Sequence, residues 1–446
     1  MQRFKIIIFI LFIFVDFSIA QKSLLRSGPM LGYGEMREVM LWVQVNEKAK
    51  IHFEYWETSN SKIKFKSKVV DASEEKYFTT QIALTNLLPG TNYQYELFIN
   101  NKKINYPYPL KFKTQSLWQF RTVPPDFSVA FGSCLYINEA EFDRPQPYGS
   151  TPTVLKSITN KKPDLMLWLG DNTYYREPDF FSASGMNYRY SHTREIPELQ
   201  ELLSSTHNYA IWDDHDYGPN DADRSYKMRN EALEVFKNFW TGQNFGTDET
   251  PGVFYRFQFN DAEFFMLDDR FHRSPNNAPN DESKTMFGKS QLQWLKDCLL
   301  NSSQPFKIIA NGNQMLNEYC EHETFTKFTA EYRDLISFIK QNKISGVIFL
   351  SGDRHHTELI QQKDSTFYTL YDFTSSALSA GLGNPVKEYG NPLRVDSTLV
   401  FDKHNFGILK FSGKRNSRKL EMSCIDKDGA TRWKFEISET DLKIKK

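Results

Sequence analysis

Past residue 20 no stretch of this 446-residue chain is apolar for long enough to span a bilayer, and there is no internal repeat and no low-complexity tract. These gaps exclude a multi-span membrane protein, a solenoid and a disordered tail. Charge of one sign is also missing: basic and acidic residues balance at 55 each, so no global field steers the chain to nucleic acid or to an anionic membrane. Cysteine is scarce. The four present, Cys134, Cys298, Cys320 and Cys424, form no Cys-x-x-Cys pair, which argues against a zinc ribbon or a disulfide-dense scaffold. What remains is an ordinary globular composition, 40% apolar and 25% charged, long enough for two domains.

The first twenty residues stand apart. Arg3 and Lys5 precede the apolar run Ile6–Val15, and Ser18-Ile19-Ala20 places small residues where a signal peptidase cuts. The pattern predicts a signal peptide at 1–20 and a secreted or periplasmic mature chain without a transmembrane anchor. A retained anchor is the alternative, disfavoured by the short run and by Asp16. Cleavage removes Arg3, Lys5 and Asp16 and leaves 53 basic against 54 acidic residues. In an oxidising compartment the cysteines could pair, with a connectivity that spacing does not give.

Residues 21–118 read as a small β-sandwich. Val39–Val45, Ile51–Trp56, Tyr77–Leu84, Tyr93–Ile99 and Leu110–Thr114 are short, aromatic, β-branched and evenly spaced. Leu87-Leu88-Pro89-Gly90-Thr91-Asn92-Tyr93-Gln94-Tyr95 resembles the corner of fibronectin type III domains, in which a tyrosine hydroxyl is tied to backbone. Trp118–Phe127, with Pro124-Pro125, reads as a linker into a second domain at 119–446.

There the texture changes to apolar runs alternating with helical segments, the signature of an α/β sheet. Leu165–Leu169 is the plainest run: five apolar residues, too few for a helix, halted by Gly170 and followed by Asp171-Asn172-Thr173-Tyr174-Tyr175. Five more behave alike. Phe127–Phe131 delivers Gly132-Ser133-Cys134, Tyr209–Trp212 delivers Asp213-Asp214-His215-Asp216, and Ala262–Leu267 delivers Asp268-Asp269-Arg270. Phe306–Ala310 leads to Asn311-Gly312-Asn313-Gln314, and Gly346–Leu350 to Ser351-Gly352-Asp353-Arg354-His355-His356. Helices are expected at Thr151–Asn160, Glu198–Ser204, Ser225–Trp240, Ser290–Leu300 and Thr329–Gln341, and strands return at Leu399–Phe401, Phe406–Phe411, Leu420–Ile425 and Thr431–Ile437. Ligands of open α/β sheets bind beyond the carboxyl ends of the strands. A parallel sheet would bring these carboxylates to one edge, where they repel unless cations lie among them.

Phe-Gly-Ser-Cys at 131–134, Gly-Asp-Asn-Thr-Tyr at 170–174, Trp-Asp-Asp-His-Asp at 212–216, Leu-Asp-Asp-Arg at 267–270, Gly-Asn-Gln at 312–314 and Gly-Asp-Arg-His at 352–355 together resemble the ordered motifs of alkaline phosphatase D-type metallophosphatases. That family belongs to the calcineurin-like superfamily and is related to purple acid phosphatases. The resemblance covers roughly residues 30–440 and implies a layered α/β metallophosphatase core flanked by helices behind a fibronectin-like all-β domain.

By position it implies that Cys134, Asp171, Tyr174 and His355 hold a ferric ion (Fe3+). Asp171 would bridge to a second ion, calcium (Ca2+) or magnesium (Mg2+), completed by Asp214, Asp353 and Asn313. A hydroxide on the two metals would attack phosphorus, with Asp171 and Arg354 counted with His215 in the catalytic set. His215 would assist the leaving oxygen, while Asn172 and Arg354 would contact the phosphate, an assignment resting on adjacency alone. Asp213 and His356 would lie in the outer shell, Asp213 with a ligand role left open. Asp269 and the loop 270–279 depart from the family pattern.

The implied activity is hydrolysis of phosphate mono- or diesters of a small substrate, with phospholipid and nucleotide both open. A non-catalytic surface binding protein is the rival from another class; the loss of a ligand would be its signature, and every position is occupied. The leader makes a direct prediction: N-terminal sequencing of exported protein should begin at Gln21, and a chain still starting at Met1 would refute cleavage.

Overall fold

The computed structural model describes residues 23–320 and 322–444; the predicted leader lies outside them. The N-terminal region is all β. Leu25–Gly34, Val39–Val45 and Thr79–Leu84 form one antiparallel sheet. A second is built on Ala49–Glu57 and Asn92–Ile99, whose alternating side chains bury Phe53, Tyr55, Tyr93 and Tyr95 between the layers. The fibronectin-like corner is present: the Leu88 amide donates to the Tyr93 hydroxyl at 2.9 Å.

The six runs that end in polar residues are all strands, divided between two sheets rather than collected in one. Phe127–Gly132, Leu165–Leu169 and His207–Ile211 are parallel neighbours, extended by the antiparallel tail strands Asn405–Ser412, Lys419–Asp426 and Thr431–Ser438. Ala262–Met266, Phe306–Ala310 and Val347–Ser351 are parallel in the other, with Leu370–Thr374 beyond them and Tyr255–Phe259 and Glu358–Gln362 at its edges. Aromatic rings join the sheets: Phe127 meets Phe259 at 5.2 Å between centroids, Phe131 meets Phe373 at 4.7 Å, and Tyr209 stacks on Phe257 at 3.8 Å. Strand ends of both layers therefore open on one edge. Leu399–Phe401, expected as a strand, contributes only an isolated bridge between Val400 and Thr357.

The five expected helices form at Val154–Lys161, Pro197–Ser205, Arg229–Phe239, Lys289–Asn301 and Thr329–Gln341. A sixth, Ala183–Arg194, has no apolar stripe; Asn187, Arg189, Ser191, Thr193 and Arg194 are all buried. Its polar face meets the sandwich: Gln44 donates to Ser191 Oγ at 2.7 Å, and the Arg194 guanidinium lies 5.6 Å from the centre of the Trp42 ring. Trp42 donates to the Asn238 carbonyl and Asn208 to that of Leu31, so sandwich and α/β layers share a continuous core containing Met30, Tyr33 and Trp42. Among the described residues no helix is long and apolar enough to cross a membrane.

Two glycines let the strand ends converge. Gly170 has φ of +89°, and a Cβ there would stand 2.6 Å from Asp213 Cβ; a Cβ on Gly352 would meet Ser133 Cβ at the same distance. Gly170→Ala should therefore destabilise the protein by about 1–3 kcal/mol in chemical denaturation, and an unchanged midpoint would refute the packing argument.

Candidate active site

At the open edge four residues have left-handed backbone: Cys134 (φ 62°), Asp171 (52°), Asp353 (64°) and His355 (55°). Non-glycine residues avoid this region, and it recurs where the surroundings hold a functional group in place. Here the surroundings are visible. Asp171 N and Asn172 N both donate to Asp216, whose carboxylate also receives the Asp213 amide in the capping box of the one-turn helix Asp214–Tyr217.

Two groups of ligand-competent atoms, each within 4.8 Å, share Asp171: Cys134, Asp171 and His355, and Asp171, Asp214 and His215. Tyr174 joins the first, its hydroxyl 2.9 Å from Asp171 Oδ2 and 3.4 Å from His355 Nε2. Asp353 belongs to neither trio but borders the same cavity. His215, expected only at the leaving oxygen, stands among ligand-competent atoms, with its ring stacked on Tyr174 at 4.3 Å between centroids. None of the four cysteines is disulfide-bonded; Cys134 is fully buried, its sulfur accepting from Ser376 Oγ at 3.1 Å.

Electrostatics across this edge is unfavourable for bare anions. Burial, with the charges of Cys134, Asp214, Asp216 and Asp353, raises the Asp171 carboxyl well above the usual carboxylate range. Burial and Asp353 push the Cys134 thiol up to about 11, and burial with Asp171 and Cys134 raises the Tyr174 phenol. Asp214 is the exception: burial alone would raise it, but His215 and Arg270 hold it below its ordinary value. A thiol, a phenol and carboxylates that disfavour one another's charge, with imidazole nitrogens in reach, form a donor set that fits cations.

Asp213 is different. Arg270 Nε donates to its Oδ1 at 2.6 Å, and Asn313 Nδ2 to its Oδ2 at 3.1 Å. Arg270, wholly buried, also binds Glu323, which Arg273 shares at 2.8 Å. An arginine thus compensates Asp213, and the charge balance expected from metal alone is partly internal. Asn313 lies deeper than expected, its Oδ1 accepting from Arg273 at 3.0 Å.

Two expectations drawn from adjacency are corrected. Asn172 does not face the cavity; its amide donates to the Ile211 carbonyl at 2.7 Å and to Asp216 at 2.6 Å, holding the Asp216 carboxylate under the loop. Arg354 borders the cavity but its guanidinium is paired with Glu388. His356, expected in the outer shell, belongs to another buried trio, with Glu358 and Glu388, where Arg394 and Arg354 supply the positive charge. Tyr148, which no strand-end pattern marks, packs its ring 6.3 Å from Tyr174 and 6.0 Å from the His355 ring.

The cavity over these residues encloses about 1010 Å³ and is walled by loops around Asn220, Asn276, Glu323 and 381–388. A two-sheet α/β core carrying an anionic donor cluster at its strand ends defines a metallophosphatase-type architecture. The comparisons with known proteins agree. The PhoD-like phosphatase family model matches residues 140–418, and the chain belongs to that family. Residues 22–117 match a domain of unknown function, DUF7800. Alkaline phosphatase D of Bacillus subtilis (strain 168) is 22% identical over 330 residues, 62% of this chain; the chain spans 55% of that protein's length.

Two solved structures share the fold. One, described as the structure of PhoD, superposes with a TM-score of 0.77 at 16% identity, covering 95% of this chain and 92% of its own. The other is the purple acid phosphatase PPD1 from yellow lupin (Lupinus luteus) seeds, with a TM-score of 0.65 at 15% identity, covering 93% of this chain and 75% of its own.

The Asp213–Arg270–Glu323 array makes a prediction of its own. Arg270→Met leaves the buried Asp213 without its cation, while Glu323 keeps Arg273, and should cost about 3–5 kcal/mol in chemical denaturation, whereas adding Asp213→Asn to it should recover part of the loss. Equal stability of all three proteins would refute the pairing.

Proposed function

We propose that the protein is an exported, metal-dependent phosphoric ester hydrolase, organised as a leader at 1–20, a sandwich domain at 21–118 and a catalytic domain at 119–446. One observation carries the reading: thiol, phenol, imidazole and carboxylate groups from separate strand ends converge on Asp171, beside a large cavity that Asp214, His215, Asp353 and His355 border. Cys134, Asp171, Tyr174 and His355 would hold a ferric ion, and Asp171, Asp214 and Asp353, with His215 in reach, a calcium or magnesium ion. Cations held there supply the neutralisation of a phosphoryl group and the acidification of water that ester hydrolysis at neutral pH requires.

The chain's own groups do the rest. Asp171 is the shared member of both donor sets and fixes their spacing, through a backbone conformation that Asp216 and Gly170 enforce. His215 borders the cavity, and Tyr174 beneath its ring fixes the imidazole plane, so its nitrogen can hold a hydrogen bond to the departing alcohol oxygen. Arg270 holds the Asp213 carboxyl by a hydrogen bond at 2.6 Å, so that Asp213 stays in place to cap the short helix bearing Asp214 and His215. With Arg354 paired to Glu388, phosphate contact falls to the cations and His215 rather than to a guanidinium. A cavity of about 1010 Å³ exceeds what a simple monoester needs and favours diesters.

Metal analysis of purified protein, run beside mono- and diester substrates, tests this. Asp171→Asn should lower turnover by more than about a hundredfold, a loss seen even for residues that only support a metal ligand, while the thermal midpoint stays measurable. Chelation should abolish activity, and iron should restore it with a visible charge-transfer band that Tyr174→Phe removes. An active, metal-free protein would end the proposal.

A further inference from the structure

Away from the Asp171 cluster, one wall of the cavity carries a lysine that no strand-end pattern marks. Lys284 is only 8% exposed yet borders the cavity, and no carboxylate lies within ion-pair distance of it among the described residues. Its Nζ donates to the Asn276 carbonyl at 2.9 Å and stands 5.3 Å from the centre of the Phe328 ring. The opposite case holds for its neighbours: Arg270 and Arg273 are both met by Glu323. A buried ammonium with a ring, a carbonyl and no anion is costly, and such groups are ordinarily paired.

The segment bearing it is rigidly built. Ser274 N donates to the Thr285 carbonyl at 2.8 Å and Thr285 N returns to Ser274 Oγ at 3.1 Å. Met286 N and Phe287 N both donate to Glu331, on the helix Thr329–Gln341. The lysine is thus held at the wall by backbone fixed on both sides, and Phe328, which also carries Arg273 at 4.7 Å, forms the floor beneath it. Burial, Arg273 and Lys327 all disfavour the charged amine, a penalty that an incoming anion would relieve.

We propose that Lys284 binds a second anionic group of the substrate, so that the preferred ester carries a further phosphoryl or carboxylate group besides the phosphate undergoing hydrolysis. The inference rests on the hydrolase reading above and deepens it to a substrate class. A single diester anion at the Asp171 cluster leaves Lys284 uncompensated; a dianionic substrate spanning the cavity fills both positions and gains a charge-assisted hydrogen bond.

The test is competitive inhibition of bis(4-nitrophenyl) phosphate hydrolysis by the metal-loaded protein. A short series of α,ω-alkanediol bisphosphates is compared with the matching monophosphates, and with ω-carboxyalkyl phosphates to separate phosphoryl from carboxylate. The best bisphosphate or carboxyalkyl phosphate should bind about tenfold or more tighter than its monophosphate, as expected for one charge-assisted hydrogen bond. Lys284→Gln should bring that ratio close to one and Lys284→Arg should retain it. Wild-type protein gives a reading independent of any variant's folding, because added salt should erode the ratio. Hydrolysis with equal inhibition by all compounds, or a ratio unchanged in Lys284→Gln, overturns the assignment of Lys284 and leaves the hydrolase reading standing. No hydrolysis by metal-loaded wild type overturns the hydrolase reading and takes this inference with it.

Discussion

Mutual repulsion among carboxylates that two sheets deliver to one edge is the constraint around which this molecule is arranged. Asp171, Asp213, Asp214, Asp216 and Asp353 meet there, four of them almost wholly buried. Each is handled by a different physical device. Arg270 supplies a countercharge to Asp213, backbone amides and the Asn172 side chain satisfy Asp216, and His215 with Arg270 favours the ionised form of Asp214. Asp171 and Asp353 keep the remainder, and it is at that remainder that the thiol, the phenol and the second imidazole gather. Internal compensation thus marks off the part of the edge whose acidic groups have no countercharge of their own, where the proposed cations would sit.

The same constraint explains which parts of the site could be read from the chain. Local sequence carries whatever a single strand and its first turn specify: Leu165–Leu169 followed by Gly170 and Asp171 is legible because a buried parallel strand must be apolar on both faces and must stop abruptly. Thr329–Gln341 is legible for the analogous helical reason. Asn172 was misplaced because adjacency in sequence says nothing about which way a turn sends its side chain. The turn at Asp171 sends it beneath the loop to Asp216. The pairing of Arg354 with Glu388 is not legible because Glu388 lies more than thirty residues further along the chain. The division of six similar strands between two sheets is invisible in any one of them, since partner choice is a tertiary matter.

Ala183–Arg194 failed for a different reason. An amphipathic stripe arises when one helix face meets apolar core and the other meets water. This helix meets the sandwich on one side and the α/β layers on the other: the Ser191 hydroxyl and the Arg194 carbonyl accept from Gln44 and Ser27 of the sandwich, and the Arg194 guanidinium donates to the Phe239 carbonyl of the α/β layers. Its burial is polar, so hydropathy carries no period to detect.

The shared core has a consequence for how such a chain can diversify. Met30, Tyr33 and Trp42 belong to the packing of the α/β layers as much as to their own sheet, and the carbonyls of Gly32 and Leu31 accept from His207 and Asn208 on a strand whose far end delivers Asp213 and Asp214. The sandwich is therefore not a detachable module that recombination could exchange for another without rebuilding the strand behind the loop that carries Asp213 and Asp214. Substitutions in the loops around Asn276 and 381–388, by contrast, would reshape the cavity wall and leave that shared core untouched.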